Sequence, residues 1–358
     1  MPDAIEPPSD RAAAEARARQ AILTKPTGAL GRLEDASVWM SAVQDRCPPR
    51  PFQHPALVIF AGDHGVARAA GTSAYPPEVT GQMVLNLARG GAAATILARR
   101  LGVRVRVIDV SVDVDSGYVN DVGPAIVAGR IRRGSGSIDR EDAMTSAESH
   151  AALDLGARLA DAEIDAGADV LLPGDMGIGN TTPAAVLIGL LTGHAPVTVT
   201  GRGTGVDDAT LARKQEAVRR AMSRGEHAVD PTTLLSRVGS PDLAAMTGFL
   251  ARASVRRCPV VLDGVVSLAA ALVAERLAPG ACAWWIAGHR STEPAAAIAL
   301  EHLGLRPLVD LDLRLGEGTG ALLALPLLDS AAALLAEMAT FESAGVSGRA
   351  NDGAAVDA

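Results

Sequence analysis

Three glycine-rich turns hold most of the residue types that could do chemistry. The first is Gly174-Asp175-Met176-Gly177-Ile178-Gly179-Asn180-Thr181-Thr182-Pro183, between an apolar run at 170–172 and an apolar helical stretch at 184–191. Glycines let a backbone approach a ligand closely, and free N–H groups at a helix start attract a phosphate or carboxylate. Thr181 or Thr182 suits the N-cap and Pro183 the first helical position. The same glycines could equally serve only a tight turn. The second turn, Gly201-Arg202-Gly203-Thr204-Gly205, precedes Asp207-Asp208 and a helix carrying Lys214. That ammonium could hold a phosphate as a point charge or sit in solvent. In a diphosphate-sugar site the acidic pair precedes the Thr-Gly turn, whereas here the glycines come first. The order favours a donor with one phosphate and no magnesium-bound pyrophosphate. The third turn is Arg314-Leu315-Gly316-Glu317-Gly318-Thr319-Gly320. A carboxylate flanked by glycines at a strand end has little shelter of its own, so whatever fills the pocket desolvates it, which suits a general base. The other reading pairs Glu317 with Arg314 as an ion pair.

Two further stretches read as pocket walls. Ser73 to Met83 holds Tyr75, one of only two tyrosines, together with Gln82 and hydroxyl groups that could hydrogen-bond a flat heterocycle. A plain loop entering a helix is the alternative. Asp63 and His64 close the first apolar run, where His64 serves either the fold or a site.

The elements that must position these residues follow from periodicity. Runs at 56–61, 103–110, 170–172, 197–200, 260–262 and 283–287 read as strands, with another at 308–313, and they alternate with alanine-rich helical stretches. Such alternation predicts an α/β fold with a mostly parallel sheet flanked by helices, and ligands then bind beyond the carboxyl ends of the strands. Helices are expected at 11–23, from Leu33 to Val43, and at 330–341, with a frayed tail at 347–358. The expected organisation is a small helical domain from 1–50 and 326–358, and a large α/β domain at 51–325.

Composition narrows the function classes. The chain has 358 residues, is 48% hydrophobic and carries a net charge of −8, with 33 basic residues scattered along it. Nothing tracks a nucleic-acid backbone. No uncharged apolar run nears the roughly 18 residues of a membrane span, and the start lacks a leader-like apolar core, so a cytoplasmic location is expected. Cys47, Cys258 and Cys282 form neither a disulfide set nor a metal-spaced pair, and the seven histidines show no zinc spacing, so no metal or cofactor is expected.

In order along nearly the whole chain, these motifs resemble those of the nicotinate-nucleotide:dimethylbenzimidazole phosphoribosyltransferase family of cobalamin lower-ligand synthesis. The resemblance rests on Lys25–Glu34, Phe60–Val66, Ser73–Met83, Met176–Pro183, Gly201–Gly205, Pro259–Gly264, His289–Pro294 and Arg314–Ala321. It implies transfer of ribose 5-phosphate from nicotinate mononucleotide to a benzimidazole-type base by a homodimer. It also implies a six-stranded, Rossmann-like sheet with a small helical bundle from both termini, and Glu317 as the catalytic base. The base pocket would be Ser73, Tyr75, Gln82 and Leu315. The phosphoribosyl site would be Gly174, Asp175, Met176, Gly177, Gly179, Asn180, Thr181, Gly203, Lys214, Arg314 and Gly316. Three positions depart from the family pattern: Asp175 in place of glutamate, Gly239-Ser240-Pro241-Asp242 in place of Gly-Gly-x-Glu, and Ala295-Ala296 in place of Gly-His. Alternatives are transfer to adenine, another benzimidazole or a phenol, or a nucleotide-binding relative without turnover. A dinucleotide-dependent oxidoreductase lacks its Gly-x-Gly-x-x-Gly fingerprint.

Overall fold

The computed structural model describes residues 5–115, 118–228 and 230–347. Five strands form one parallel sheet: β1 Pro55–Gly62, β2 Arg104–Ser111, β3 Val170–Met176, β4 Val260–Leu262 and β5 Trp285–Ala287, in the order β2-β1-β3-β4-β5. Every residue of β1 is buried, because helices cover both faces and a doubly covered strand needs no polar alternation. β2 lies at an edge, and there Arg104 and Arg106 both reach the buried carboxylate of Glu163. Charge of this kind discourages pairing with another sheet edge. The chain runs from β1 to β2 on one side and returns to β3 on the other, so the crossover direction reverses between β1 and β3. Carboxyl ends of strands at such a reversal leave a crevice. The loops holding His64 and Gly177 leave from there.

The chain divides into two compact units. The larger comprises 1–7 and 52–325, as far as it is described, and contains the sheet. The smaller comprises 8–51 and the described residues from 326 on. Its helices Asp10–Ile22 and Arg32–Val43 share a core of Ala16, Leu23 and Leu335, with Val38, Cys47 and Met338 packed against it. Ser9 caps the first of these helices by accepting from the Ala12 N–H. Arg19 closes the unit by donating to the carbonyl of Ala336 at 2.9 Å.

Several expectations need correction. Among the described residues the sheet has five strands, not six. Residues 197–200 are not a strand: Pro196–Val199 is a short helix with proline at its start, the Thr200 hydroxyl donates back to the Pro196 carbonyl, and Val197 is 64% exposed. Val197 and Thr198 are exposed and Val199 and Thr200 buried, a pairing that a helical turn presents and the alternation of a strand does not. Residues 308–313 form no strand of the sheet: Leu308 donates its N–H to the Ala287 carbonyl at the end of β5 at 3.1 Å and Val309 makes an isolated bridge to His289, and Asp312 then turns to φ 54° and breaks the extended run. The first half of 283–287 is a 3-10 turn, Ala281–Trp284. The last helix is Thr319–Glu337, which starts at the third glycine turn, runs through Pro326 and ends before Phe341. By length and composition alone it could cross a membrane, with mean hydropathy 1.7, yet 56% of that stretch is buried. Beyond Ser347 the expected frayed tail lies outside the described residues.

Candidate functional site

Gly174, Asp175 and Met176 end strand β3 and are not part of a loop, so the first glycine turn begins inside the sheet. Gly174 is glycine because the backbone of the third turn crosses it: a Cβ there would lie 2.6 Å from the Glu317 carbonyl oxygen. Gly177 is equally constrained, with the Gly62 carbonyl 2.0 Å from its Cβ position, and Gly179 faces Ala67. These three are accounted for by chain crossing. The helix that follows, Thr181–Thr192, has Asn180 at its N-cap in helical geometry, so Pro183 stands at the third position, not the first. The Asn180 side chain does not cap. Its Nδ2 donates to Asp175 Oδ2 at 2.7 Å.

Beyond the ends of β3, β4 and β5 lies a cavity of about 290 Å³. Eight of the expected residues line it: Tyr75, Asp175, Asn180, Thr181, Gly203, Arg314, Leu315 and Gly316. Tyr75 and Leu315 are large apolar side chains more than half exposed at its rim, the disposition of two faces waiting for a flat ring. The opposite side is polar. Lys214, on the helix Asp208–Gly225, is 1% exposed and donates to Thr181 Oγ1 at 2.7 Å and to the Gly201 carbonyl at 3.0 Å. Burial pulls its ammonium down to about 8, with the nearby Glu293 opposing. The solvated reading of Lys214 is thereby wrong. Gly203 donates its N–H to Glu293 Oε1 at 2.7 Å, and its carbonyl accepts from Arg314 at 2.7 Å. A side chain at Gly203 would meet Thr181 Oγ1 at 2.9 Å.

Glu317 follows directly on the lining residues Leu315 and Gly316. It is 3% exposed and takes a left-handed φ of 61°, rare for a residue with a side chain. Its carboxylate does not pair with Arg314, whose guanidinium is committed to the Gly203 carbonyl. Instead Oε2 accepts from the Ala94 N–H at 3.4 Å, at the start of the helix Ala93–Leu101. Burial raises the pKa of Glu317 above the ordinary carboxylate range, and Asp263 adds to the rise against the Ala94 bond. Asp175 is raised further, by burial and by the charges of Asp263, Asp242 and Glu317.

Ser73, Gln82, Met176, Lys214, Asp63, His64 and Glu317 itself do not line the cavity. Ser73 stands 3.4 Å from the hydroxyl of the lining residue Thr204, whose oxygen also accepts from the Ala74 N–H. Gln82 is exposed on the helix Val79–Ala88. His64 is buried with Nε2 3.5 Å from Asp242 Oδ2. Asp242 is held below the usual carboxylate range although burial works the other way, because the charge of His64 and hydrogen bonds from its surroundings outweigh it. Asp63 accepts from the Asp113 N–H, and burial raises it. Among the described residues no group of three or more His, Cys, Asp or Glu side chains could hold a metal ion.

Sequence reasoning missed Gly264, Val265, Val266, His289, Ser291 and Glu293 as lining residues. All follow the ends of β4 and β5, so the strand-end rule alone would have found them.

A family model described as phosphoribosyltransferase matches residues 5–346. The nicotinate-nucleotide–dimethylbenzimidazole phosphoribosyltransferase of Mycobacterium marinum is 57% identical over 354 residues, covering 99% of this chain and 97% of that protein. Its counterpart in Mycobacterium tuberculosis is 57% identical over 350 residues, covering 98% and 95%. The crystal structure of CobT from Thermus thermophilus superposes with a TM-score of 0.88 at 46% identity, covering 94% of this chain and 99% of that one.

Proposed function

The chain belongs to the nicotinate-nucleotide:dimethylbenzimidazole phosphoribosyltransferase family, and from its site we infer how it works. It transfers ribose 5-phosphate from nicotinate mononucleotide to 5,6-dimethylbenzimidazole, giving alpha-ribazole 5'-phosphate and nicotinate in cobalamin biosynthesis. One observation carries the mechanism: a cavity with two exposed apolar faces, Tyr75 and Leu315, and a polar side tied to a buried lysine, with Glu317 next to its lining residue Gly316.

In the donor the leaving nitrogen is already a pyridinium. When the C1′–N bond breaks, its electron pair neutralises that nitrogen, so departure of nicotinate requires no proton. Charge on C1′ is met by the lone pair of the benzimidazole nitrogen arriving from the opposite face, which turns a β-glycosidic bond into an α one. The other ring nitrogen then sheds its N–H proton, and Glu317 accepts it. A carboxyl group with a raised pKa is the better base for that step near neutral pH. Tyr75 and Leu315 hold the base, with Ser73 behind the lining residue Thr204 and Gln82 on the helix that follows. Thr181, Gly203, Arg314, Gly316 and Lys214, with the turn from Gly174 to Asn180, hold the phosphoribosyl group so that C1′ and the nitrogen meet in line. Asp175, whose carboxyl is pushed well above the ordinary range by burial and neighbouring carboxylates, is a hydrogen-bond partner there.

The remaining assignments belong to the same proposal. The smaller unit, 8–51 with the described residues from 326 on, is the family's helical domain, which the shared core of Ala16, Leu23 and Leu335 supports. The chain works as a homodimer in the cytoplasm, where its three free cysteines stay reduced. The test is incubation of the protein with nicotinate mononucleotide and a panel of bases. Release of nicotinate with formation of an α-linked nucleotide of dimethylbenzimidazole is expected. Preference for adenine or a phenol would move the acceptor, and no nicotinate release with any base would overturn the reading.

A further inference from the structure

The turn that carries Glu317 is an unstable piece of backbone by itself. Gly316 and Gly318 take φ of 81° and 84°, and Glu317 between them takes 61°. Three successive left-handed residues, one with a side chain, persist only when the surroundings over-determine them. The turn also opens the helix Thr319–Glu337, whose first N–H groups lack partners within the helix. Glu317 shares β3 through its own N–H, which donates to the Asp175 carbonyl at 3.2 Å, and Thr319 Oγ1 donates to the Gly316 carbonyl at 2.8 Å. The Thr319 N–H donates to the same carbonyl at 3.0 Å, which leaves the amides of Gly318, Gly320 and Ala321 to be held from elsewhere.

One side chain holds them. Asp263 follows the end of β4 and is fully buried. Its Oδ2 accepts from the Gly318 N–H at 3.1 Å, and its Oδ1 accepts from the Gly320 N–H at 2.7 Å and the Ala321 N–H at 3.2 Å. Both carboxylate oxygens are thus spent on three amides that follow Glu317. The negative charge sits against the positive end of the helix dipole. Behind it, His289 Nδ1 lies 3.6 Å from Oδ1, and the same ring blocks any side chain at Gly320, whose Cβ position is 1.8 Å from it. The strand-anchored carboxylate and the imidazole therefore clamp the turn between them.

We propose that Asp263 is a positioning residue for the reaction: from the end of β4 it locks the left-handed turn that aims Glu317 at the acceptor base. The inference rests on Glu317 as proton acceptor. Asp263 touches no substrate in this role, and its effect on rate passes through Glu317 alone. Asparagine at 263 keeps the size and one accepting oxygen but turns the other position into an NH₂ facing a backbone N–H. The turn must then give way on one side.

The test is a double-mutant cycle of Asp263→Asn and Glu317→Gln, with thermal midpoint, donor KM and kcat read on each protein. Expected for Asp263→Asn is a fall in kcat of about 10- to 100-fold, the scale on which a 1 Å misplacement acts, with donor KM within about twofold of wild type. In the Glu317→Gln background the same change should cost less than about twofold, because residues acting through one another are not additive. A fall by the same factor in both backgrounds, or unchanged kcat in Asp263→Asn, would overturn the proposal. If Glu317→Gln alone keeps more than about a tenth of kcat, a loss short of general-base scale, the reading of Glu317 fails and takes this inference with it; the single variant shows which has failed. Should Asp263→Asn not fold, lactic acid incorporated at 321 deletes just the N–H of Ala321 and leaves the carboxylate in place. Loss of that one bond should lower kcat by about 3- to 10-fold with the thermal midpoint nearly kept, and full activity of this ester protein would equally refute the role.

Discussion

Substituting Gly174 by alanine should disable the enzyme without removing a charge or a side chain. The added methyl would stand 2.6 Å from the Glu317 carbonyl oxygen, 2.7 Å from its carbonyl carbon and 3.1 Å from the Gly318 nitrogen. Relief to an ordinary contact of about 3.5 Å requires a shift of roughly 0.8–0.9 Å between β3 and the turn. The obstacle is backbone on both sides, so no side chain can swing away. Overpacking of this kind costs about 1–3 kcal/mol in stability, and a displacement near 1 Å at a reacting group costs about 10²-fold in rate. We expect kcat to fall about 30- to 100-fold, with donor affinity nearly kept and a lowered thermal midpoint. Gly167→Ala is the control: its φ of 90° strains a side chain but nothing lies within 4 Å, so stability should fall while kcat stays. The reasoning is refuted if Gly174→Ala folds with a lowered midpoint yet keeps more than half of wild-type kcat, or if Gly167→Ala loses activity to the same degree.

Lys214 titrates at about 8, so its charge is present below that pH and lost above it. Donor KM should climb as pH passes 8, and in Lys214→Met the donor KM should be high and flat with pH; a pH dependence surviving in that variant would reject Lys214 as the phosphate partner. Asp175 binds its proton more tightly folded than unfolded, so the wild-type fold loses stability as pH rises above the unfolded carboxyl value of about 3.9. Asp175→Asn should therefore raise the thermal midpoint, and by more at pH 8 than at pH 5. An advantage equal at both pH values would show that Asp175 is ionised in the fold over that range. Tyr75→Ala should raise KM for the base at least about tenfold, as loss of a stacked aromatic face warrants, and leave donor KM alone, with a smaller effect of the same kind for Gln82→Ala. Equal shifts in both Michaelis constants would place Tyr75 elsewhere.

Alternation of apolar runs with alanine-rich stretches made the parallel sheet legible, because β1 and β4 are buried on both faces and must be apolar throughout. The same criterion misread 197–200 and 308–313, where β-branched and leucine residues face solvent and a proline or a positive φ decides the backbone. The helix expected at 330–341 begins at Thr319 instead and continues through Pro326. Within the site, Glu317 and the glycine turns stood out because their chemistry is local. The meaning of the glycines did not, since Gly174 and Gly177 answer to chain crossings with residues distant in sequence. Along the sequence Lys214 could hold a phosphate or sit in solvent, and only the fold, which brings Thr181 and the Gly201 carbonyl to it, removes the second reading. Asp263, His289 and Glu293 act through three-dimensional contacts that no spacing along the chain encodes.

The central claim, that Glu317 takes the proton from the attacking base, is tested most directly by Glu317→Gln, with thermal midpoint, donor affinity and kcat measured on one preparation. Glutamine keeps the size and the acceptor for the Ala94 N–H but cannot take the proton. The account predicts a kcat lowered by about 10²–10⁴-fold with donor affinity and folding nearly intact. A kcat above about a tenth of wild type, short of that general-base loss, would contradict it.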